Sequence, residues 1–429
     1  MSAPRKFVPG RKAPTAPIVP LASVFNSVVK PEKNILYFTL NPTDVTYANT
    51  LRRVILTEVE TVGFRSDILE DGSTSDVYIS KNSTPMSNEM LSHRIGLLPI
   101  YVSNPLDWNP DKYSFKLDVT NKTSNLLDVT AADIQVFKNS DNEEPVPVPN
   151  TEFFHPNAIT KDTALLAVLK PAVVNQDNEQ LTFTAKATVG IGRQNARFNP
   201  VCQCSYRYTL DTDDLRKKEF FETWLNSHKK VDPGSLEGNP TKKGELEREF
   251  ATMEIERCFL VNEQGEPYSF DFTVHSVGVL DPYYIVARAI QVIQQKLIKY
   301  ASIDTGDLPE SITISPADAK MKGYDIMFEG EDHTLGNLLQ TWMDANLIDS
   351  GEITYAGYKI PHPLKDVMHL RIGLEDGKET SARVAVVKAV RGLMEMFRTW
   401  GVNWASNGDS AAPPPAGTFR SALEMKRSK

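Results

Sequence analysis

The stretches that decide the fold are residues 46–53, TYANTLRR, and residues 334–341, TLGNLLQT. Each follows an apolar run and an aspartate two residues upstream, Asp44 or Asp332, which is the pattern of a strand, a tight turn and an N-capped helix. One unit therefore occurs twice, and only its first copy carries the arginines Arg52 and Arg53. This asymmetry predicts a pseudo-symmetric body that presents different surfaces to different partners.

A second pair of segments supports the repeat, because Asp281-Pro282 and Thr380-Ser381 each begin a run with apolar residues at helical spacing. Matched positions of the first two segments, 46–53 and 334–341, lie 288 residues apart, whereas matched positions of the two later helices lie 100 residues apart. The difference means that 188 additional residues lie inside the first copy, between its first and its last helix. We expect the two later helices to pack on each other within the chain. The residues expected to make this pairing are Ile290, Ile293, Leu297, Val390, Leu393 and Phe397.

These patterns predict an α+β fold with two similar units that form an intrachain pseudo-dimer, the first interrupted by a β-rich insert. Short runs of Val, Thr, Ile and Phe indicate strands in the insert, and Lys, Glu, Gly and Pro indicate a charged linker or helix within the first unit. The expected segments are a flexible basic tail at 1–33, the first unit at 34–62 and 202–301 with the linker at about 228–249, the insert at 63–201, the second unit at 311–400, and a flexible tail at 401–429.

Composition narrows the classes of function. The chain has 429 residues and a formal net charge of −8, which argues against an extended nucleic-acid-binding face. Residues 1–33 are an exception, with six Lys or Arg and one Glu, and read as a solvated tail, or alternatively as a targeting signal or nucleic-acid arm. We expect no membrane span, no disulfide framework and an intracellular location, because apolar runs are short and cysteines number three.

Candidate catalytic chemistry is sparse. Cys202-x-Cys204 lacks the further ligands of a closed zinc site, so alternate strand residues are the favoured interpretation. Residues 190–197, GIGRQNAR, suit a strand-end turn better than a phosphate-binding loop. His333 lies beside a helix start, and its neighbour Asp332 is more simply the cap. We therefore predict no active site, cofactor or metal.

The arginine pair has two interpretations that the pattern alone does not separate. Arg52 and Arg53 point in directions roughly 100° apart on a helix and are either solvated or part of an interface. The matched residues of the second copy are Gln340 and Thr341, so the fold itself does not require charge there. Arginine is a preferred anchor where protein surfaces meet.

At the level of motifs the chain resembles a known family. Residues 45–55 and 87–99 (SNEMLSHRIGLLP), with the turn at 190–200 (GIGRQNARFNP), are similar to the third-largest subunit of eukaryotic and archaeal RNA polymerases, a relative of the N-terminal domain of bacterial alpha. Residues 331–339 (EDHTLGNLL) and 356–364 (AGYKIPHPL) resemble the small alpha-like subunit that pairs with it. The chain thus looks like the two subunits fused head to tail, an arrangement that resembles that of large DNA viruses.

Two departures limit what the resemblance implies. Relatives often hold a zinc or iron–sulfur site in the inserted domain, but residues 63–201 contain no cysteine, so that site is not carried over. In the turn at 190–200, Asn195 and Phe198 replace the usual His and Trp.

The resemblance implies a non-catalytic assembly scaffold of a DNA-dependent RNA polymerase. Its Arg-bearing half would bind the second-largest subunit and its compact half the largest, and small accessory subunits would be further partners. The catalytic aspartates and magnesium would lie in the large subunits. DNA and RNA would be contacted only through the complex. No homodimer is needed for this function. The protein would be located in the nucleus, in a cytoplasmic viral factory or in the virion. The expected partner-interface residues are Asn49, Arg52, Arg53, His93, Arg94, Asp332, His333 and Asn337. The alternatives are a free-standing DNA-binding transcription factor and a nucleotide-handling enzyme that uses residues 190–197.

Overall fold

The structure is a computed structural model that describes residues 23–67, 75–140, 143–173, 176–236, 238–318 and 321–407. Its α-helices and β-strands are, in chain order, β1 (Phe25–Glu32), β2 (Ile35–Leu40), α1 (Val45–Thr57), β3 (Glu60–Gly63), β4 (Val77–Asn82), α2 (Asn88–Gly96), β5 (Tyr113–Thr120), β6 (Leu127–Thr130), β7 (Gln135–Ser140), β8 (Glu143–Val148), β9 (Leu165–Leu169), β10 (Gln180–Ala185), β11 (Thr188–Ile191), β12 (Val201–Tyr208), α3 (Asp214–Trp224), α4 (Pro240–Glu249), β13 (Phe270–Ser276), α5 (Pro282–Ile298), β14 (Ile312–Pro316), β15 (Gly323–Glu329), α6 (His333–Met343), β16 (Tyr355–Lys359), β17 (Val367–Gly373) and α7 (Glu379–Asn407).

Two four-stranded antiparallel sheets share one topology. The first has the order β1-β2-β13-β12 and the second the order β14-β15-β17-β16, so each strand of one sheet has a counterpart in the other. The helices match in the same way, α1 with α6 and α5 with α7. Three residues that lie side by side across each sheet fix the correspondence: Phe38, Phe272 and Tyr206 in the first, and Ile326, Leu370 and Tyr358 in the second.

The helix starts follow from local chemistry. The Asp44 side chain accepts a hydrogen bond from the N–H of Thr46 at 2.6 Å, and the Asp332 side chain accepts one from the N–H of Thr334 at 2.8 Å. Each bond satisfies one of the amide donors that a helix leaves unpaired at its first turn. Asp281 caps α5 in the same way, ahead of a proline at the first helical position. The two strand–turn–helix units of the repeat are therefore present as the sequence predicts.

One hydrophobic core contains side chains from both units. The long helices α5 and α7 pack on each other at its centre. Six residues of these helices are at most 2% exposed: Ile290, Ile293, Leu297, Val390, Leu393 and Phe397. Burying each such side chain contributes roughly 1.5–3 kcal/mol, so the shared core joins the two units firmly.

The insert between β3 and β12 has a separate core. Its main sheet has the order β4-β10-β5-β7-β8, a second pair is β6-β9, and β3 pairs with β11 where the chain leaves and re-enters the first unit. The helix α2 packs on β4 and β9. This β-rich region separates the strands of the first unit in the sequence, in agreement with the predicted interruption.

Part of each predicted tail has regular structure. Residues 25–32 of the expected tail at 1–33 form the edge strand β1, and residues 401–407 of the expected tail at 401–429 form the last turns of α7. The two segments order each other, because the ring of Phe25 lies 4.8 Å from that of Trp404 and 5.7 Å from that of Trp400. The Asn407 side chain also donates to the Phe25 carbonyl at 3.3 Å. Residues 1–22 and 408–429 lie outside the described residues.

The predicted linker at about 228–249 is part of a small helical module. The helices α3 and α4, each followed by a π-helical turn, enclose their own apolar cluster. The ring of Phe250 lies 5.0 Å from that of Phe221 and 5.6 Å from that of Trp224. Because aromatic side chains supply large buried areas, three of them stabilise a segment that is otherwise rich in Lys, Glu and Gly.

Candidate partner-binding surface

The helices α1 and α6 lie side by side in opposite directions at the junction of the two units. The hydroxyl of Thr46 lies 3.0 Å from that of Thr341 and accepts a hydrogen bond from Asn337 Nδ2 at 3.2 Å. On the other side, Arg53 Nε donates to Thr334 Oγ1 at 2.8 Å. Thr46 matches Thr334 and Arg53 matches Thr341 in the repeat, so an approximate twofold axis relates these two contacts.

Arg53 reaches from the first unit to the start of α6 in the second. Its Nη2 lies 3.1 Å from Asp332 Oδ2, and its side chain is 36% exposed. Two expected interface residues, Arg53 and Asp332, therefore contact each other inside this chain, which leaves only part of the guanidinium for another molecule. The arginine that the repeat places opposite Thr334 is a connection between the units.

Arg193 brings the insert into the same junction. It follows β11, and its Nη1 lies 3.6 Å from Glu58 at the end of α1 and 4.0 Å from Asp332. Its Nη2 lies 3.8 Å from Asp366 in the second unit. One cation thus interacts with carboxylates of both units, a role that the sequence pattern did not indicate.

A buried carboxylate completes the junction. Glu331 is 6% exposed and accepts a hydrogen bond from the Tyr300 hydroxyl at 2.9 Å. Lys296 Nζ lies 3.9 Å from Glu331 and 2.8 Å from Glu58. Burial and the nearby Glu331 carboxylate raise the pKa of Tyr300 well above its usual value, so that its hydroxyl keeps the proton that it donates.

The charge state of Asp332 depends on this arrangement. Its partial burial alone would raise the pKa of the carboxyl. Hydrogen bonds from Thr334 and the positive charges of Arg53 and Arg193 oppose this effect and bring the pKa below its usual value. Asp332 is therefore an anion at neutral pH and serves both as helix cap and as ion-pair partner.

Arg52 points into a different place, a cleft of about 470 Å³ beside the edge strand β12. Its Nε and Nη2 both donate to Asn49 Oδ1, at 3.0 and 2.8 Å, which holds the guanidinium beside the cleft. Burial raises the pKa of the neighbouring Cys204 thiol to about 12, despite the opposing effect of Arg52, so the thiol is neutral. The residues that line the cleft are Asn49, Arg52, Cys204, Ser205, Tyr206, Arg207, Tyr208 and Glu256.

The other expected interface residues are spread over two elements. His93 and Arg94 are exposed on α2 in the insert, where Arg94 Nε donates to the Leu165 carbonyl at 3.1 Å. His333 is exposed at the start of α6, with Nδ1 3.2 Å from the Tyr358 hydroxyl. The structure thus brings Arg53, Asp332 and Asn337 together at the junction. It places Asn49 and Arg52 at the cleft beside β12, and His93 and Arg94 on the insert.

The arginines of the turn at 190–197 contact groups of the protein itself, not an open phosphate-binding site. Arg197 Nη1 donates to the Phe64 carbonyl at 2.8 Å and to Ser66 Oγ at 2.7 Å, and Arg193 lies in the junction described above. Gly190 is required by packing, because a Cβ atom there would lie 2.6 Å from the ring of Phe198. This geometry gives the nucleotide-handling alternative no support.

Metal and membrane features can be stated for the described part of the chain. Cys202 is exposed, whereas Cys204 and Cys258 are buried. Within the ranges given above, no group of three or more His, Cys, Asp or Glu side chains is arranged to hold a metal ion. No helix in those ranges is both long and apolar enough to span a bilayer.

Comparison with known proteins agrees with the geometry. The family described as RNA polymerase Rpb3/Rpb11 dimerisation domain matches residues 37–297, and a second family of the same description matches residues 324–400. The two matches fall on the two units that share the hydrophobic core.

Several curated relatives are RNA polymerase subunits by name. The chain is 28% identical over 294 residues to DNA-directed RNA polymerases IV and V subunit 3B of Arabidopsis thaliana, which covers 61% of this chain and 85% of that protein. It is 24% identical over 295 residues to DNA-directed RNA polymerase II subunit rpb3 of Dictyostelium discoideum (63% and 91%). It is 25% identical over 306 residues to DNA-directed RNA polymerases I and III subunit RPAC1 of Bos taurus (64% and 82%). The family match over residues 37–297 spans more than half of the present chain. The chain therefore belongs to the RNA polymerase Rpb3/Rpb11 dimerisation-domain family.

Proposed function

We propose that this protein is a non-catalytic assembly subunit of a multisubunit DNA-dependent RNA polymerase, and that one chain supplies both halves of the alpha-like pair. The observation that carries the proposal is the shared core, in which α5 and α7 of two family domains pack together within a single chain. A preformed pair of this kind offers two related but unequal faces, on which two different large subunits assemble.

The proposed division of labour follows the asymmetry of the repeat. The first unit and insert bind the second-largest subunit through Asn49, Arg52 and the exposed pair His93 and Arg94. The second unit binds the largest subunit around His333. Arg53, Asp332 and Asn337 contribute mainly by fixing the two units relative to each other, as their contacts across the junction indicate. Small accessory subunits bind the same assembly, and DNA and RNA are contacted through the complex.

The proposal extends to the biological setting. A chain that fuses the two alpha-like subunits fits a polymerase encoded by a large DNA virus, with transcription in the nucleus or in a cytoplasmic factory and packaging of the enzyme in the virion. Fluorescence microscopy of the tagged chain in infected cells, with mass spectrometry of purified virions, tests this setting. Expression of the gene in uninfected cells from a cellular genome would contradict it.

The function itself is tested by co-expression. The tagged chain is produced together with the two largest polymerase subunits encoded by the same genome and is recovered by affinity purification. We expect both large subunits to be retained, whereas an unrelated acidic protein of similar size with the same tag retains neither. Recovery of duplex DNA without either subunit would favour the free-standing DNA-binding factor.

A further inference from the structure

The two sheets differ at one matched edge. In the second unit, the backbone N–H of Tyr358 on the edge strand β16 donates to Gln340 Oε1 at 3.2 Å. This hydrogen bond blocks the edge at Tyr358, because the backbone N–H that a further strand would need is already bonded to a side chain of α6. The matched residues in the first unit are Tyr206 on β12 and Arg52 on α1.

The register of β12 shows which of its groups face outward. Thr209 N–H donates to the Ser269 carbonyl at 3.0 Å, so Thr209 faces β13. Alternate residues of an antiparallel strand face its neighbour, so Ser205 also faces β13. The N–H and C=O groups of Cys204 and Tyr206 therefore point away from the sheet.

Arg52 cannot close this edge as Gln340 closes the other. A guanidinium has only donors, so it cannot accept a hydrogen bond from the Tyr206 N–H. Over the described ranges β12 pairs with no strand other than β13, so the outward-facing N–H groups of Cys204 and Tyr206 have no strand partner, and the Arg52 guanidinium donates only to Asn49. The first unit thus has an open strand edge beside a guanidinium with three unused N–H donors.

We propose that β12 binds an extended segment of the second-largest polymerase subunit, which adds to the sheet as a further strand and places an Asp or Glu carboxylate on Arg52. Main-chain hydrogen bonds to an exposed edge provide the affinity in this mode of recognition, and side-chain pockets provide the specificity. The cleft of about 470 Å³ along Cys204–Tyr208 leaves space for such a segment. Its lining holds one acidic residue, Glu256, and two arginines, of which Arg207 lies 3.7 Å from Asp271. Arg52, whose guanidinium donates only to Asn49 among the described residues, therefore supplies the charge that favours an acidic occupant.

This inference rests on the proposed function, and amide hydrogen exchange separates the two. Exchange is measured on the full chain alone and in complex with the second-largest subunit. We expect the amides of Cys204 and Tyr206 to become protected in the complex, while that of Tyr358 stays as it was. A complex that forms without protection on β12 would overturn the strand addition and leave the proposed function standing. Absence of any complex would overturn both.

The Arg52→Gln variant is the matched test, because it places at position 52 the residue type found at the matched position, Gln340. The new side chain should accept a hydrogen bond from the Tyr206 N–H and so block the edge. It should remain folded by circular dichroism and lose at least tenfold in affinity for the second-largest subunit. Arg207→Gln removes the same charge from the cleft without closing the edge, so its loss should stay below threefold. Equal losses in the two variants, or none in Arg52→Gln, would contradict the proposal. So would concentration-dependent self-association of the chain with protection of β12, since the occupant would then be a second copy.

Discussion

The two adjacent arginines of α1 contact different parts of the molecule. Arg53 donates to Thr334 and pairs with Asp332 across the junction, whereas Arg52 is held by Asn49 beside the cleft. A partly exposed ion pair contributes only about 0–1 kcal/mol to stability. The Arg53 contact therefore matters more for the orientation of the two units than for the free energy of unfolding.

A double-mutant cycle measures the Arg53 contact. The changes are Arg53→Gln and Asp332→Asn, which keeps a side chain able to cap α6. Urea unfolding of the two single variants and the double variant should give a coupling of about 0.5–1 kcal/mol, the upper part of the range for such pairs. The control cycle with Arg52→Gln and Asp332→Asn should give a coupling near zero. Similar coupling in both cycles would mean that only long-range charge is involved.

The lowered pKa of Asp332 has a consequence for pH dependence. A carboxyl whose pKa is lower in the folded state stabilises the fold at pH values above its unfolded pKa, about 3.9, and this contribution is lost as the pH falls through the folded value. The melting temperature of the unmodified chain should therefore exceed that of Asp332→Asn at pH 6, and the gap should narrow below about pH 4. A gap that widens on acidification would show that the pKa is raised.

The residues of the candidate site were only partly predictable. Asp332 and Asp44 could be assigned as caps because capping depends on three or four neighbouring residues. The direction of Arg53 could not be predicted, since it depends on how α1 crosses α6. Arg193 and Glu331 gave no signal, because the ion-pair network forms only when the insert and both units come together.

At the scale of elements, local chemistry predicted the starts of α1, α5, α6 and α7 and the strand-rich character of the insert. It failed for β1 and for the end of α7, which are ordered by contacts between Phe25 and Trp404, residues at opposite ends of the described chain. For the helical module it predicted a charged linker or helix but not the apolar cluster, because the signal of Phe221, Trp224 and Phe250 is diluted by charged residues and glycine. Elements stabilised by distant partners are those that sequence periodicity does not reveal.

The packing of α5 on α7 is the element that the fold depends on most. Leu297→Ala and Phe397→Ala should each lower the free energy of unfolding by roughly 2–5 kcal/mol, the usual range for large-to-small changes in a core. The controls are exposed neighbours on the same helices, Ile298→Ala and Val402→Ala, which should change it by less than about 0.5 kcal/mol. Chemical denaturation of all four variants makes the comparison. Equal effects in core and control variants would contradict the shared core.

At the scale of the whole molecule, the covalent connection changes the thermodynamics of pairing. Two separate subunits lose translational and rotational freedom when they associate, whereas joined units meet at an effective concentration on the order of millimolar. The pair is then formed without regard to the concentration of a partner chain. The two halves differ at matched positions such as Arg52 and Gln340, which is compatible with the pairing because each half binds the other half and not a copy of itself.

The internal pairing predicts the oligomeric state. Because α5 is covered by α7 of the same chain, the purified protein should sediment as a monomer at micromolar concentrations in analytical ultracentrifugation. Leu297→Ala should lower its stability without changing its mass in solution. A homodimer that dissociates on this substitution would indicate that α5 and α7 pair between chains.

The central claim is that one copy of this chain replaces a pair of alpha-like subunits in the polymerase. Native mass spectrometry of the intact enzyme, purified through a tag on its largest subunit, tests it most directly. We predict one copy of this chain for each copy of the largest and second-largest subunits, with no separate small alpha-like subunit. Two copies of the chain, or one copy with a separate small alpha-like subunit, would contradict the claim.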